Sequence, residues 1–186
     1  MRRSLLLIAL LSSSLVPCVA ATDGAPAGWL LAGDHPQNYN TGADSNGTAF
    51  LASKTDGTGA GFGTLMQAIK ADDYAGKRVR FKATVRSENL TQWAGLWMRI
   101  DGGKKTLAFD NMSGRPIKGT TGWTTYEVVL NVPINATGIY FGALVSSNGE
   151  IWLRGVQLEA IDSGAPVTGV PMAPGRTRPV NLDFRQ

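Results

Sequence analysis

The feature that most constrains the fold is an alternation of apolar and polar side chains with a period of two, repeated along most of the chain. It is clearest over 77–88, where Val79, Phe81, Ala83 and Val85 fall on one side and Arg78, Arg80, Lys82, Thr84 and Arg86 on the other. Successive side chains of an extended backbone point to opposite faces, so this pattern is a half-buried strand with a basic outer face. Residues 92–101 repeat it, with Ala94, Leu96, Met98 and Ile100 inward and Trp93, Gly95, Trp97, Arg99 and Asp101 outward. Tyr126, Val128 and Leu130 mark an inward face in 123–132, and Ile139, Phe141, Ala143 and Val145 mark another. Over 151–159, Trp152, Val156 and Leu158 share a side, with Arg154 on the same side by count. Trp29, Trp123 and Trp152 are read as core. Shorter strands are expected at 29–32, 48–53 and 62–69.

Turn signals separate these runs: Asp44-Ser45-Asn46-Gly47, Asp56-Gly57, Asp101-Gly102-Gly103 and Asn148-Gly149. Each supplies residues that accept tight or left-handed turns. About eight or nine strands so punctuated give an all-β fold, a jelly-roll β-sandwich of two antiparallel sheets. The competing reading is a helix over 65–74, which Gly63 and Gly76 would leave with few turns, and short helices are marginal in water.

The ends differ from the middle. Arg2-Arg3, an apolar run over 5–11 extended to Val16, Pro17, and the small residues around Ala20-Ala21 have the three-part layout of a secretory signal. The expectation is a signal peptide over 1–20, a sandwich over 21–161, and export to the periplasm or the medium with no lasting membrane anchor. Pro17 before Cys18 departs from a lipidation box. Residues 162–186 hold four prolines without periodicity and read as a linker or tail, in which 179–184 would suit one more short strand.

Single copies of Cys and His exclude a disulfide framework, a Cys/His zinc site and a Cys–His nucleophile pair. His35 sits in Gly33-Asp34-His35-Pro36, a loop with no nucleophile elbow elsewhere. The run from Gly57 to Gly63 lacks the Lys-Ser/Thr of a phosphate cradle. Oxygen ligands for calcium are available at Asp44 and Asn46, but the Asp-Ser-Asn-Gly turn alone explains those residues. No metal and no cofactor is expected. The acids Glu88, Asp101, Asp110, Glu127, Glu150 and Glu159 show no spacing that selects a catalytic pair. A formal charge of +4, part of it in the leader, is too small to argue for nucleic acid.

Several stretches taken in order resemble a known group. They are Phe62-Gly63-Thr64-Leu65-Met66-Gln67, Asp73-Tyr74-Ala75-Gly76-Lys77, the strand Ala94 to Asp101, Phe109-Asp110-Asn111-Met112, Arg115-Pro116-Ile117, and Trp123 followed by Tyr126-Glu127-Val128. Ile151-Trp152-Leu153-Arg154-Gly155-Val156-Gln157-Leu158-Glu159 closes the series. Together they resemble the carbohydrate-binding-module jelly rolls of the galactose-binding-like group, over about residues 28–161. Domains of this kind are attached to bacterial regulators and to secreted hydrolases, so the resemblance implies the sandwich and a binding role without fixing the ligand. Many closing strands of the group carry Asp where this chain has Arg154, so no contact belonging to that Asp carries over.

Sugars bind non-enzymes through aromatic faces that cover pyranose C–H groups, with flanking polar groups bonded to hydroxyls. The best surface by alternation carries Trp93 and Trp97 as stacking platforms. Arg99 and Asp101 lie beside them, Arg80 belongs to the preceding basic strand, and Tyr39 stands in a long 34–44 loop placed to close over one end. The expected function is non-catalytic carbohydrate binding, with acidic glycans favoured by the arginines. A protein- or small-molecule-binding sensor and a small glycan hydrolase remain alternatives.

Overall fold

The computed structural model describes residues 24–54 and 61–171. The expected leader and the 179–184 strand lie outside them. The strands are β1 (Leu30–Gly33), β2 (Tyr39–Ala43), β3 (Ala49–Ser53), β4 (Phe62–Lys70), β5 (Arg78–Gly102), β6 (Lys105–Asp110), β7 (Ile117–Asn131), β8 (Gly138–Ser146), β9 (Glu150–Ile161) and β10 (Val170–Pro171). The described residues contain one 3-10 turn, Pro36–Asn38, and no α-helix. The 62–69 segment is a strand, as its alternation required, and not the start of a helix.

The two alternating runs 77–88 and 92–101 are one 25-residue strand, β5, that serves both layers. Its first half pairs antiparallel with β7 and β9, and its second half with β8 and β6. This gives a first layer β1-β4-β8-β5-β6-β10 and a second layer β7-β5-β9-β3-β2. The register against β7 shifts three times between Val85 and Ala94, and Asn89 takes a left-handed φ of 53°. Bulges bend a strand, and Asn tolerates that backbone region, so the passage between layers is built where the alternation lapses.

Between the layers the inward residues of both halves of β5 meet those of β4, β8, β9 and β3. Leu51, Leu65, Phe81, Leu96, Met98, Ile100, Ile139 and Ile151 are fully buried. Phe81 from the second layer packs on Phe141 from the first at 5.1 Å, and Trp29 meets Phe141 edge-on at 6.1 Å. Each such side chain contributes about 1.5–3 kcal/mol of burial.

The segment after β9 is docked along one edge. The Arg78 guanidinium donates to the carbonyls of Ser163 and Ala165. Thr168 N–H donates to the Val129 carbonyl at 2.9 Å, and its Oγ1 accepts from Val129 N–H at 2.7 Å. A Cβ on Gly169 would lie 2.5 Å from Leu130 Cδ2 and 2.7 Å from the Phe109 carbonyl, so only glycine fits. The segment thereby bridges β7 of the second layer to β6 of the first. Buried Asp110 accepts from Arg115 at 2.7 Å and from Met112 N–H at 2.8 Å. Burial pushes its carboxyl up, but bonds from Arg115, Thr168 and Met112 outweigh that and hold it below the usual carboxylate range.

Candidate functional site

The residues singled out by alternation do not converge. Trp93, Trp97, Arg99 and Asp101 lie on the outer face of the first layer, whereas Arg80 lies on the outer face of the second. Because β5 crosses from one layer to the other, its two outward faces look away from each other, and the basic stripe cannot flank Trp93 and Trp97. Tyr39 is on neither face. It is 3% exposed, begins β2, packs against Gly63 between the layers, and donates to the Ser147 carbonyl at 2.9 Å. Burial, then the charge of Asp34, push its phenol up to about 12. The 34–44 segment is therefore an edge strand and a core plug, not a flap over a face.

The first layer's outer face is closed on itself. Trp97 is 5% exposed. Gly142, its register partner on β8, has no side chain, so the indole crosses β8 and donates from Nε1 to Thr64 Oγ1 on β4 at 2.7 Å. Thr64 in turn donates to the Ala143 carbonyl at 2.8 Å. Trp93 is half-buried, its ring edge beside Gly95. Arg99 is ion-paired with Asp101 at 2.9 Å and lies 4.7 Å over the Tyr140 ring. Arg99 is thus held by Asp101 Oδ2 and Tyr140, Asp101 Oδ1 is buried without a hydrogen-bond partner, and Trp97 has no face to offer a ligand.

The second layer's outer face is open, and it holds two tryptophans, Trp123 and Trp152, that are expected in the core from the sequence. One row runs across the strands in register: Gly42 on β2, Phe50 on β3, Trp152 on β9 and Arg86 on β5. Across β7 the register skips from Thr124 to Thr121, which brings Trp123 beside Arg86. The Arg86 guanidinium lies 3.8 Å over Trp152 and 5.9 Å from Trp123, and Arg154 lies 4.2 Å over Trp123. Indole and guanidinium thus alternate in a ladder, Trp152–Arg86–Trp123–Arg154. Trp123 is 38% exposed and Arg154 is exposed.

The next row supplies hydroxyls. Arg154 faces Thr84, which faces Thr125, with the two hydroxyls 3.0 Å apart. Gln157, exposed, follows after a bulge at Gly155 (φ 60°) that keeps both Arg154 and Gln157 outward. Further along, Arg80 bonds Glu159 at 2.8 Å and reaches Glu127 at 3.7 Å, while Lys82 reaches Glu159 at 3.5 Å. The Arg80 hydrogen bond, with Lys82 adding to it, holds Glu159 below its ordinary value. On the other side of the ladder Glu150 faces Glu88. Burial, then the Glu88 charge, push the Glu150 carboxyl up, against the pull of Arg86.

Other surfaces offer less. A shallow cleft of about 250 Å³ is lined by Pro26, Trp29, Ala49, Leu65, Leu153 and Val156, with no charged side chain to orient a polar ligand. Asp44 Oδ1 accepts from the N–H groups of Asn46 and Thr48, so this carboxylate organises its own turn. Among the described residues no three His, Cys, Asp or Glu side chains gather as metal ligands. The signal for this open aromatic face was present in the sequence: Trp152 shares a side with Arg154, and Trp123 is out of phase with Tyr126, Val128 and Leu130.

No known family's sequence profile matches the chain. YbfP of Bacillus subtilis (strain 168), an uncharacterized helix-turn-helix-type transcriptional regulator, is 39% identical over 168 residues, 86% of this chain. The chain spans 57% of that regulator's length. Among solved structures, a CBM4 module aligns over 81% of this chain and 97% of its own, with a TM-score of 0.50 and 13% identity. The CBM22-1 xylan-binding domain of Paenibacillus barcinonensis Xyn10C aligns over 76% and 90%, with a TM-score of 0.50 and 13% identity. The fold is the β-sandwich of carbohydrate-binding modules. An enzyme shares it: a Stig cyclase, Fisc from Fischerella sp. TAU, aligns over 81% and 94%, with a TM-score of 0.52 and 14% identity.

Proposed function

We propose that this protein is an exported, non-catalytic module that binds carbohydrate on the outer face of its second layer. The observation that carries the reading is the ladder of half-buried Trp152 and Arg86 and exposed Trp123 and Arg154, bordered by Thr84, Thr125 and Gln157 on a sheet face without a covering element among the described residues. Exposed aromatic patches on a stable sandwich mark partners, and ring surface beside hydroxyls and amides suits a pyranose. The likeness to carbohydrate-binding modules supports the same reading. Glu88 and Glu150 face each other at the head of the ladder, but on an open sheet with no enclosing walls to exclude water, which favours binding over hydrolysis.

The similarity to a transcriptional regulator supports a second use of the same face, as the sensing domain of a signalling protein. Either use requires a ligand on the ladder. The test is a glycan array with the purified protein and a Trp123→Ala/Trp152→Ala variant whose fold is checked by circular dichroism. The reading expects specific glycan binding that the folded variant loses. Binding that the variant keeps would move the site elsewhere, and binding to no glycan would leave the sugar reading without support.

A further inference from the structure

The ladder differs from every other arginine environment described in the molecule. Arg80 pairs with Glu159, Arg99 with Asp101 and Arg115 with Asp110, while Arg78 donates to Asn131 and to two backbone carbonyls. Arg86 and Arg154 form no hydrogen bond and no close ion pair among the described residues; their close contacts are the tryptophan rings, with Arg86 also in the field of Glu150. Stacking occupies the flat face of a guanidinium and leaves its in-plane N–H donors directed outward. Two guanidinium groups are therefore held in one ladder with Trp123 between them, their donor edges free of described hydrogen-bond partners. Arg86 sits on Trp152 and Arg154 on Trp123, so each is positioned by a ring before a ligand arrives.

A planar donor edge matches a carboxylate in two parallel charge-assisted bonds, a match that neutral hydroxyls do not make. The surroundings give the site a direction. Glu88 and Glu150 close one side with negative charge and would repel an anion there. Thr84, Thr125 and Gln157 on the Arg154 side carry groups that bond sugar hydroxyls. On the carbohydrate reading just given, we infer that the ligand is a uronic-acid-containing polysaccharide. Arg154 takes its carboxylate, with Arg86 across Trp123 offering a second cationic donor edge along the polymer, while the exposed edge of Trp123 and the threonine pair hold the ring that bears it.

The test measures binding of the purified protein, by calorimetry and affinity electrophoresis, to polygalacturonate, alginate and glucuronoxylan. Each is compared with its methyl-esterified or carboxyl-reduced form, and dextran sulfate serves as a charge control. Arg154→Gln and Arg86→Gln are measured beside the parent, with thermal melts to confirm that each is folded. The inference expects at least one acidic polymer to bind about tenfold or more tightly than its neutralised form, and each arginine variant to lose about tenfold on the acidic polymer alone. Equal binding to acidic and neutralised polymers, or tighter binding to a neutral glycan, overturns the uronate inference and leaves the carbohydrate reading standing. Equal or tighter binding to dextran sulfate also overturns it, because bulk charge then suffices. Binding to no glycan, acidic or neutral, overturns both.

Discussion

The two outer faces of this sandwich use the same residue types and reach opposite results. On the first layer Trp97, Arg99 and Asp101 are buried or paired with one another, and the indole N–H has found Thr64. On the second layer Trp123 is exposed, and Arg86 and Arg154 make their described contacts with aromatic rings. What separates the faces is the cross-strand neighbour. Opposite Trp97 stands Gly142, which lets the ring lie down on the sheet. Opposite Trp152 stands Arg86, whose guanidinium lies over that ring and beside Trp123. An outward aromatic residue is therefore a binding platform only when its neighbour keeps it from folding onto its own sheet.

The largest expected effect breaks the comparison if it fails. Trp97→Ala removes a buried indole and leaves Thr64 without its donor, for a loss of about 3–5 kcal/mol. Trp123→Ala on the open face should cost below about 1 kcal/mol. Denaturant unfolding of the two variants checks this, and equal losses would mean that the faces are not different in kind. Next in size, Asp110→Asn should cost about 1–3 kcal/mol, because a buried charge-assisted network loses its anion.

That network also sets an acid limb. The Asp110 carboxyl lies below its ordinary value of 3.8 in the folded chain. Its stabilisation is thus fully present above that value and is lost as pH falls through the lower, folded one. Asp110→Asn should flatten this limb in melts recorded between neutral and acid pH. Tyr39→Phe is smaller, about 1 kcal/mol, through the lost bond to the Ser147 carbonyl.

The smallest effect sharpens the account of the open face. Glu150, raised by burial and then by the Glu88 charge against the pull of Arg86, titrates above the usual 4.5. As pH falls into that range it becomes neutral and no longer competes for Arg86 or repels an anion, so affinity for an acidic polymer should rise a few-fold. Calorimetric titrations across that range test this, and Glu150→Gln should hold the higher affinity at neutral pH.

Much of the architecture was legible in the sequence because a period of two reports sidedness directly. Val79, Phe81, Leu96, Met98, Phe141 and Leu130 are all core, as their alternation required. The hidden part was β5. Nothing in the alternation shows that 77–88 and 92–101 are one strand whose halves belong to different layers, and this misplaced Arg80 relative to Trp93 and Trp97. Tyr39 escaped for another reason: β2 is short, contains Gly42, and its partner β3 lies across the turn at Asp44. Trp123 and Trp152 are read as core from the sequence, although Trp123 is out of phase with Tyr126, Val128 and Leu130 and Trp152 shares a side with Arg154 as well as with Val156 and Leu158. Phase was the better guide, since a large apolar side chain is not obliged to be buried.

The most direct measurement follows the five indole N–H resonances by two-dimensional NMR while the protein is titrated with an oligogalacturonate. The account expects Trp123 and Trp152 to shift progressively and saturate, with Trp97 unmoved because its N–H is held by Thr64 beneath the opposite face. Shifts confined to Trp93 and Trp97, with Trp123 and Trp152 still, would contradict it and return the site to the first layer.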